Sequence, residues 1–256
     1  MTFEQSVTYG HSFIHRLDPR VRVVAAMACS VCIALLRYRE VACVGLAVAV
    51  FCLALSRPSL RFALRRLAAV NIFLLFLWLI VPLTAGGEAV LRLGSLEISQ
   101  PGLALVTLVT LKANALALLF IALVCSMSPA TLGQALDRLR CPPKLVVLLL
   151  FSWRYLGAAV NEWHRLAVAA RLRGFVPRTG LHAYRTFGIL LGMTFVCSFE
   201  RSERVYDAML LRGFSGRFPS FAPFCIRARD AVFAAVALAV LAGLILCDVN
   251  AGQAHV

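Results

Sequence analysis

Residues 103–125 read LALVTLVTLKANALALLFIALVC, a run of apolar side chains interrupted by one charge, Lys112. A stretch this long and this apolar reads as a helix crossing a bilayer, whose hydrocarbon core takes about 20 residues. Four further runs resemble it: about 21–36 and 41–55, split by the polar turn Arg37-Tyr38-Arg39-Glu40, then 67–85 and 231–247. Composition agrees, since only 15% of the 256 residues are charged and 61% are hydrophobic, whereas a soluble domain carries about 25% charged residues. Most of the nine cysteines fall inside these runs and read as small apolar packing residues. Cys29 and Cys32 have the C-x-x-C spacing but sit mid-span without a second ligand pair. The expected fold is all-α and polytopic, with about five transmembrane helices.

The net charge of +14 lies in the breaks between apolar runs rather than in a basic soluble domain. There is no zinc or helix-turn-helix spacing, so nucleic acid is excluded as the partner. Its distribution also gives an orientation. The segment 56–66 holds Arg57, Arg61, Arg65 and Arg66 without an acid, whereas 86–101 sets Arg92 against Glu88 and Glu97. The positive-inside rule places the first in the cytoplasm and the second outside, with a cytoplasmic N-terminus. The arginines of the 37–40 turn run against the rule. Glu4, His11, Arg16 and Asp18 precede the first apolar run, which is not the form of a signal peptide.

Residues 126–230 differ from the rest. Basic residues recur throughout, and the apolar stretches between them, 145–151 and 187–197, are short. Pro129 and Pro142-Pro143 mark helix starts. The expectation is long amphipathic helices on the cytoplasmic face, with two further full spans as the rival reading. The chain thus divides into an N-terminal transmembrane region of four spans (1–125), a cytoplasmic-side coupling-helix region (126–230), and a last transmembrane helix with its tail (231–256).

Within that middle region one segment repeats after 39 residues. Arg165-Leu-Ala-Val-Ala169-Ala-Arg171-Leu172-Arg173-Gly174-Phe175 aligns with Arg204-Val-Tyr-Asp-Ala208-Met-Leu-Leu211-Arg212-Gly213-Phe214. The shared Arg165/Arg204, Ala169/Ala208 and Leu172/Leu211 fall at i, i+4 and i+7, one stripe on a helix. Glycine just past the last helical residue is the usual stop. The preceding arginine is favoured there by the helix dipole and projects beyond the rod. One such end needs no partner; two matched ones suit a chain that grips a two-fold symmetric partner.

These repeated ends resemble the Ala-Arg-Gly motifs of the transmembrane T component of energy-coupling factor (ECF) transporters. The opening Ser12-Phe-Ile-His15-Arg16-Leu17-Asp18-Pro19-Arg20-Val21-Arg22 is similar to that of its cobalt/nickel, CbiQ-like branch. Pro143 to Arg154, then Glu162 and Arg173-Gly174, follow the family's order. The resemblance implies a non-catalytic scaffold of the cell inner membrane, joining two ABC-type ATPase subunits to a membrane subunit that binds cobalt or nickel. ATP and Mg2+ would belong to the ATPases, with no cofactor in this chain. Arg173 and Arg212 would dock into the ATPases, Gly174 and Gly213 would end the coupling helices, and Ala169, Ala208 and Arg171 would flank them. One departure is that Leu172 and Leu211 stand where the family has alanine. A T component shared among vitamin-binding subunits is the rival within the family.

Other chemistries are weakly supported. A membrane enzyme holding a phosphorylated substrate would need clustered acids. The best set, Glu200, Glu203 and Asp207, alternates with Arg201 and Arg204 as in an ion-paired helix. His11, His15, His164, His182 and His255 lack ligand spacing, and no metal site is expected. An ordinary ion path would want paired intramembrane charges. Lys112, two residues before Asn114, is nearly alone; it reads either as an intramembrane contact with another subunit or as an internal bond to Asn71 or a carbonyl.

Overall fold

The computed structural model describes residues 17–56, 58–84, 89–93, 96–214 and 228–254. Eight helices follow in chain order: α1 (Pro19–Leu35), α2 (Arg39–Ser56), α3 (Leu60–Thr84), α4 (Gln100–Leu123), α5 (Pro129–Arg138), α6 (Pro143–Leu172), α7 (Leu181–Leu210) and α8 (Ala228–Ala254). A short antiparallel hairpin, β1 (Ala89–Leu93) and β2 (Leu96–Ser99), joins α3 to α4. The hairpin was not expected from the sequence, where 86–101 reads only as a polar connection. Apart from it the fold is all-α, as anticipated.

Helix starts follow their capping chemistry. Asp18 caps α1 by accepting the Arg20 amide at 3.0 Å, with Pro19 in the first turn. Ser99 Oγ accepts the Gly102 amide at 3.1 Å and starts α4 ahead of Pro101. Pro129 and Pro143 open α5 and α6.

Five helices are long and apolar enough to cross a membrane: α2, α3, α4, α6 and α8. The number matches the expectation and the membership does not. The run expected at 21–36 becomes α1, of 17 residues, about one turn short of a straight span. By length and composition alone α6 joins the five, its 30 residues running the short stretch 145–151 on into the following Ala- and Leu-rich turns. Helix α7, equally long, is not among the five.

The chain forms two compact units. One comprises residues 2–135 and 224–256, the other 136–223. The first is built around a core from α1, α2, α4 and α8, with Ile33, Leu36, Val41, Ala49, Leu119 and Leu244 buried together. Helix α3 lies along α4 and leaves most of its side chains open, including Ile72, Phe73 and Leu75. For a helix in lipid such exposure is ordinary.

Polar contacts in this unit concentrate at helix ends. Arg22 is 2% exposed; it donates to the Leu123 carbonyl at 2.9 Å and to Ser126 Oγ, which close α4. Ser56 Oγ donates to the Ala122 carbonyl at 3.1 Å. The Asp18 amide donates to Asp230 Oδ1 at 2.8 Å, and Asp248 Oδ1 accepts the Arg37 and Tyr38 amides at 3.0 and 3.3 Å. Helix α8 therefore runs parallel to α1 and holds both of its ends. Replacing Arg22 by Met strips the Leu123 carbonyl of its donor in a buried place, a loss of about 2–3 kcal/mol. Thermal unfolding in detergent is expected to shift down by several degrees; an unchanged midpoint would remove Arg22 as the closure of α4.

Candidate functional site

The unit 136–223 is dominated by α6 and α7. Phe151 and Tyr155 of α6 line a groove with Val205, Tyr206 and Met209 of α7. Farther along, Trp163 of α6 and Phe175 just past its end pack on Phe187 near the start of α7, at ring separations of 6.4 and 5.4 Å. Early residues of one helix thus meet late residues of the other, and the pair is antiparallel.

Both helices end in the same backbone structure. In α6 the Gly174 amide donates to the Arg171 carbonyl at 3.0 Å and the Phe175 amide to Ala170 at 3.1 Å. In α7 the Gly213 amide donates to Leu210 at 2.9 Å and the Phe214 amide to Met209 at 3.1 Å. This is the Schellman arrangement twice over, bond for bond. Gly174 has φ +84° and Gly213 φ +76°, the left-handed region that a Cβ disfavours. The regular helix of α7 stops at Leu210, and its closing turn carries the hydrogen bonds on to Gly213.

The caps satisfy the last carbonyls with backbone donors, so the arginine side chains are not consumed in doing so. Arg171, Arg173 and Arg212 are exposed. Leu172 and Leu211, standing where the family pattern has alanine, are 84% and 90% exposed. Ala169 is half-buried and Ala208 exposed. A turn or more before each tip an arginine is held by an acid of its own helix: Arg165 to Glu162 at 2.5 Å, and Arg204 to Glu200 at 3.8 Å. Arg201 does not pair within its helix; it reaches Glu162 of α6 at 3.7 Å. The acids weighed above as a catalytic set are thereby divided, with Glu200 in an ion pair.

Glu162 is the residue whose weight the sequence reading missed. It is 7% exposed and joined to Arg165 and Arg201. The 39-residue repeat contained the signal, because Glu162 and Arg201 occupy equivalent positions in its two copies.

Lys112 and Asn114 lie in α4, in the other unit. Lys112 Nζ donates to the Ala34 carbonyl at 2.9 Å, in the last turn of α1. Asn114 exchanges amide hydrogen bonds with Asn71 of α3 at 3.0 and 3.2 Å. Lys112 therefore bonds a carbonyl and not Asn71, and both side chains are engaged within the chain. His11, His15 and residues 12–16 of the opening segment lie outside the described residues. Among the described residues no three His, Cys, Asp or Glu side chains gather as metal ligands.

Long apolar helices, together with a duplicated, arginine-tipped helix end, define a multi-pass membrane protein. A profile of the CbiQ family, described as cobalt transport protein, matches residues 10–221. The chain belongs to this family, the transmembrane T components of ECF transporters. It is 27% identical over 256 aligned residues to the energy-coupling factor transporter transmembrane protein EcfT of Listeria innocua, covering 92% of this chain and 94% of that one. The EcfT proteins of Macrococcus caseolyticus and Bacillus subtilis are each 26% identical, over 80% and 81% of this chain and 82% of theirs.

Two outcomes test the site's architecture. Gly174→Ala and Gly213→Ala meet no neighbouring atom, so each is expected to lose about 1–2 kcal/mol from backbone strain alone. Gly188→Ala, inside α7 and equally unobstructed, should gain roughly 0.5–1 kcal/mol; denaturant titration of the three variants checks the sign. For Lys112→Met, relief of a charge within a membrane span, worth about 2.5–3.5 kcal/mol, nearly offsets a charged hydrogen bond worth about 1.5–3 kcal/mol. Overall stability and assembly should stay level while amide exchange rises in the last turn of α1, and lost assembly would instead mark Lys112 as a subunit contact.

Proposed function

We propose that this chain is the energy-coupling scaffold of an ECF-type importer, linking two cytoplasmic ATPase subunits to a substrate-binding membrane subunit. It would lie in the cell inner membrane with its N-terminus in the cytoplasm, and the ATP, Mg2+ and hydrolysis would belong to the ATPases. The observation that carries this reading is the pair of identical caps, which present Arg173 and Arg212 outward on rigid helix ends. A guanidinium so presented offers a planar, always-charged fork to a carboxylate. Two of them on one chain match the two equivalent surfaces of an ATPase dimer.

Coupling then follows from geometry. When ATP draws the ATPases together, each carries one helix end with it, and the helices pass the displacement on. Such a change can bias a substrate-binding subunit only through contacts that differ between the two states. Ala169, Ala208 and Arg171 would border the docked surfaces, with Leu172 and Leu211 adding apolar area at the contact.

Cobalt or nickel is the cargo this reading favours, supported by the description of the matching family. A component shared among several substrate-binding subunits is the second reading, supported by curated relatives whose names give ECF transport without a metal.

The test is purification from mild detergent of the native complex and of the Arg173→Ala/Arg212→Ala variant. The unaltered chain should bring down ATP-hydrolysing subunits, and one kind of membrane subunit if it serves metal alone or several if it is shared. The double variant should lose the ATPases and ATP-driven uptake together, each single variant retaining part. Full ATPase recovery with the double variant would falsify the docking role.

A further inference from the structure

The 39-residue repeat relates more than the two tips. Carried back along the helices it pairs Ala158 with Cys197, Ala159 with Ser198, and Glu162 with Arg201. All six residues line one groove of about 630 Å³ between α6 and α7. Glu162 and Arg201 are also in direct contact, at 3.7 Å. Equivalent residues of two copies touch each other only where a two-fold axis passes between them. The antiparallel pair therefore has a local two-fold at this point, with small side chains lining the groove and one ion pair across the axis.

We infer that the Glu162–Arg201 pair is the fulcrum of α6 and α7, a positioning pair that fixes how far apart the two arginine tips stand. This rests on the reading that the tips dock, but the geometry it describes does not need a partner. Arg173 lies eleven residues beyond Glu162, and Arg212 eleven beyond Arg201. At 1.5 Å per residue each arm is about 16 Å long, and because the helices are antiparallel the tips point away from the pair on opposite sides, up to about 33 Å apart. Equal arms turn any change of crossing angle into equal and opposite shifts of the tips.

The breaking of exact symmetry at the axis has a chemical reason. Two glutamates or two arginines there would repel, whereas one of each makes a bond across the axis. Glu162 is buried, so its charge needs compensation, and it has two partners. Arg165 holds it from its own helix at 2.5 Å, which leaves Arg201 as the partner that ties it to α7. Arg165 and Arg204, the next equivalent pair, are both held by acids of their own helices.

The experiment measures the distance between spin labels carried on non-natural residues at positions 172 and 211 of the full-length chain in nanodiscs, without ATPases. The unaltered chain should give one narrow population on the order of 30–40 Å, allowing for label length beyond the helical span. Glu162→Gln and Arg201→Leu should each broaden it about two-fold, and the double variant no further than either single one, the mark of a coupled pair. Arg201→Lys, which keeps the charge and the fold, should return most of the narrowness. Unchanged widths in the single variants, additive broadening in the double, or Arg201→Lys as broad as Arg201→Leu would each overturn the fulcrum. Since these variants keep Arg173 and Arg212, ATPases should still co-purify while ATP-driven uptake falls several-fold. If the unaltered chain recovers no ATPase, the docking reading fails and the distance result stands by itself.

Discussion

A helix that ends away from water leaves its last carbonyls and first amides without partners, and in hydrocarbon each orphan is costly. The two units meet this constraint differently. In the larger unit, side chains from other helices close the ends: Arg22 on the Leu123 carbonyl, Ser56 on Ala122, Lys112 on Ala34, and Asp248 on the amides of Arg37 and Tyr38. Every such bond also ties two helices together. In the α6–α7 unit the ends are closed by the chain's own backbone through Gly174 and Gly213. No partner helix is needed, so the terminal side chains remain exposed. Rigidity without a local partner is what the proposed docking role would require.

The same contrast explains what could be read in the sequence. Local signals were legible: apolar runs, prolines at helix starts, and glycine stops reinforced by the repeat. Tertiary caps were not, because no pattern around Lys112 says that the carbonyl it needs belongs to Ala34, 78 positions away. The exact end of α1 was illegible for a related reason. Its apolar run reads to about residue 36, and the helix stops at Leu35, where Lys112 bonds the Ala34 carbonyl and Asp248 accepts the amides of the connection that follows. In α6 the charges that break the apolar pattern are paired on the helix surface, Glu162 with Arg165, so one of the long helices expected for 126–230 runs unbroken to Leu172. The β-hairpin came from a segment whose charges were read only for orientation. Glu162–Arg201 lay between these cases, a long-range contact that the repeat could have exposed had it been followed past the matching letters to residues of opposite charge.

The leucines at the tips are the clearest departure from the family pattern, and their exposure gives that departure an energetic sense. Leu172 and Leu211 are among the most open large apolar side chains of the chain. On a free surface they gain nothing. Within a docked groove, burying a leucine contributes roughly 1.5–3 kcal/mol, comparable to what a charge-assisted hydrogen bond from the neighbouring arginine adds, about 1.5–3 kcal/mol. Leucine at this place therefore shifts the balance from electrostatic fit toward apolar contact. A contact of that kind is less weakened by salt than one resting on exposed charges alone.

Duplication then matters more than either tip. Two weak contacts on one chain act together only if the spacer between them holds the second near its slot once the first is engaged, and the gain vanishes when geometry forbids both at once. A flexible connection would satisfy that condition while absorbing any movement. The antiparallel pair would satisfy it stiffly, with equal arms on either side of the Glu162–Arg201 ion pair and matching caps at both ends. On the proposed coupling role, stiffness would be required twice, for holding both contacts and for transmitting displacement, and the features that would supply it are the ones the two halves of the repeat share.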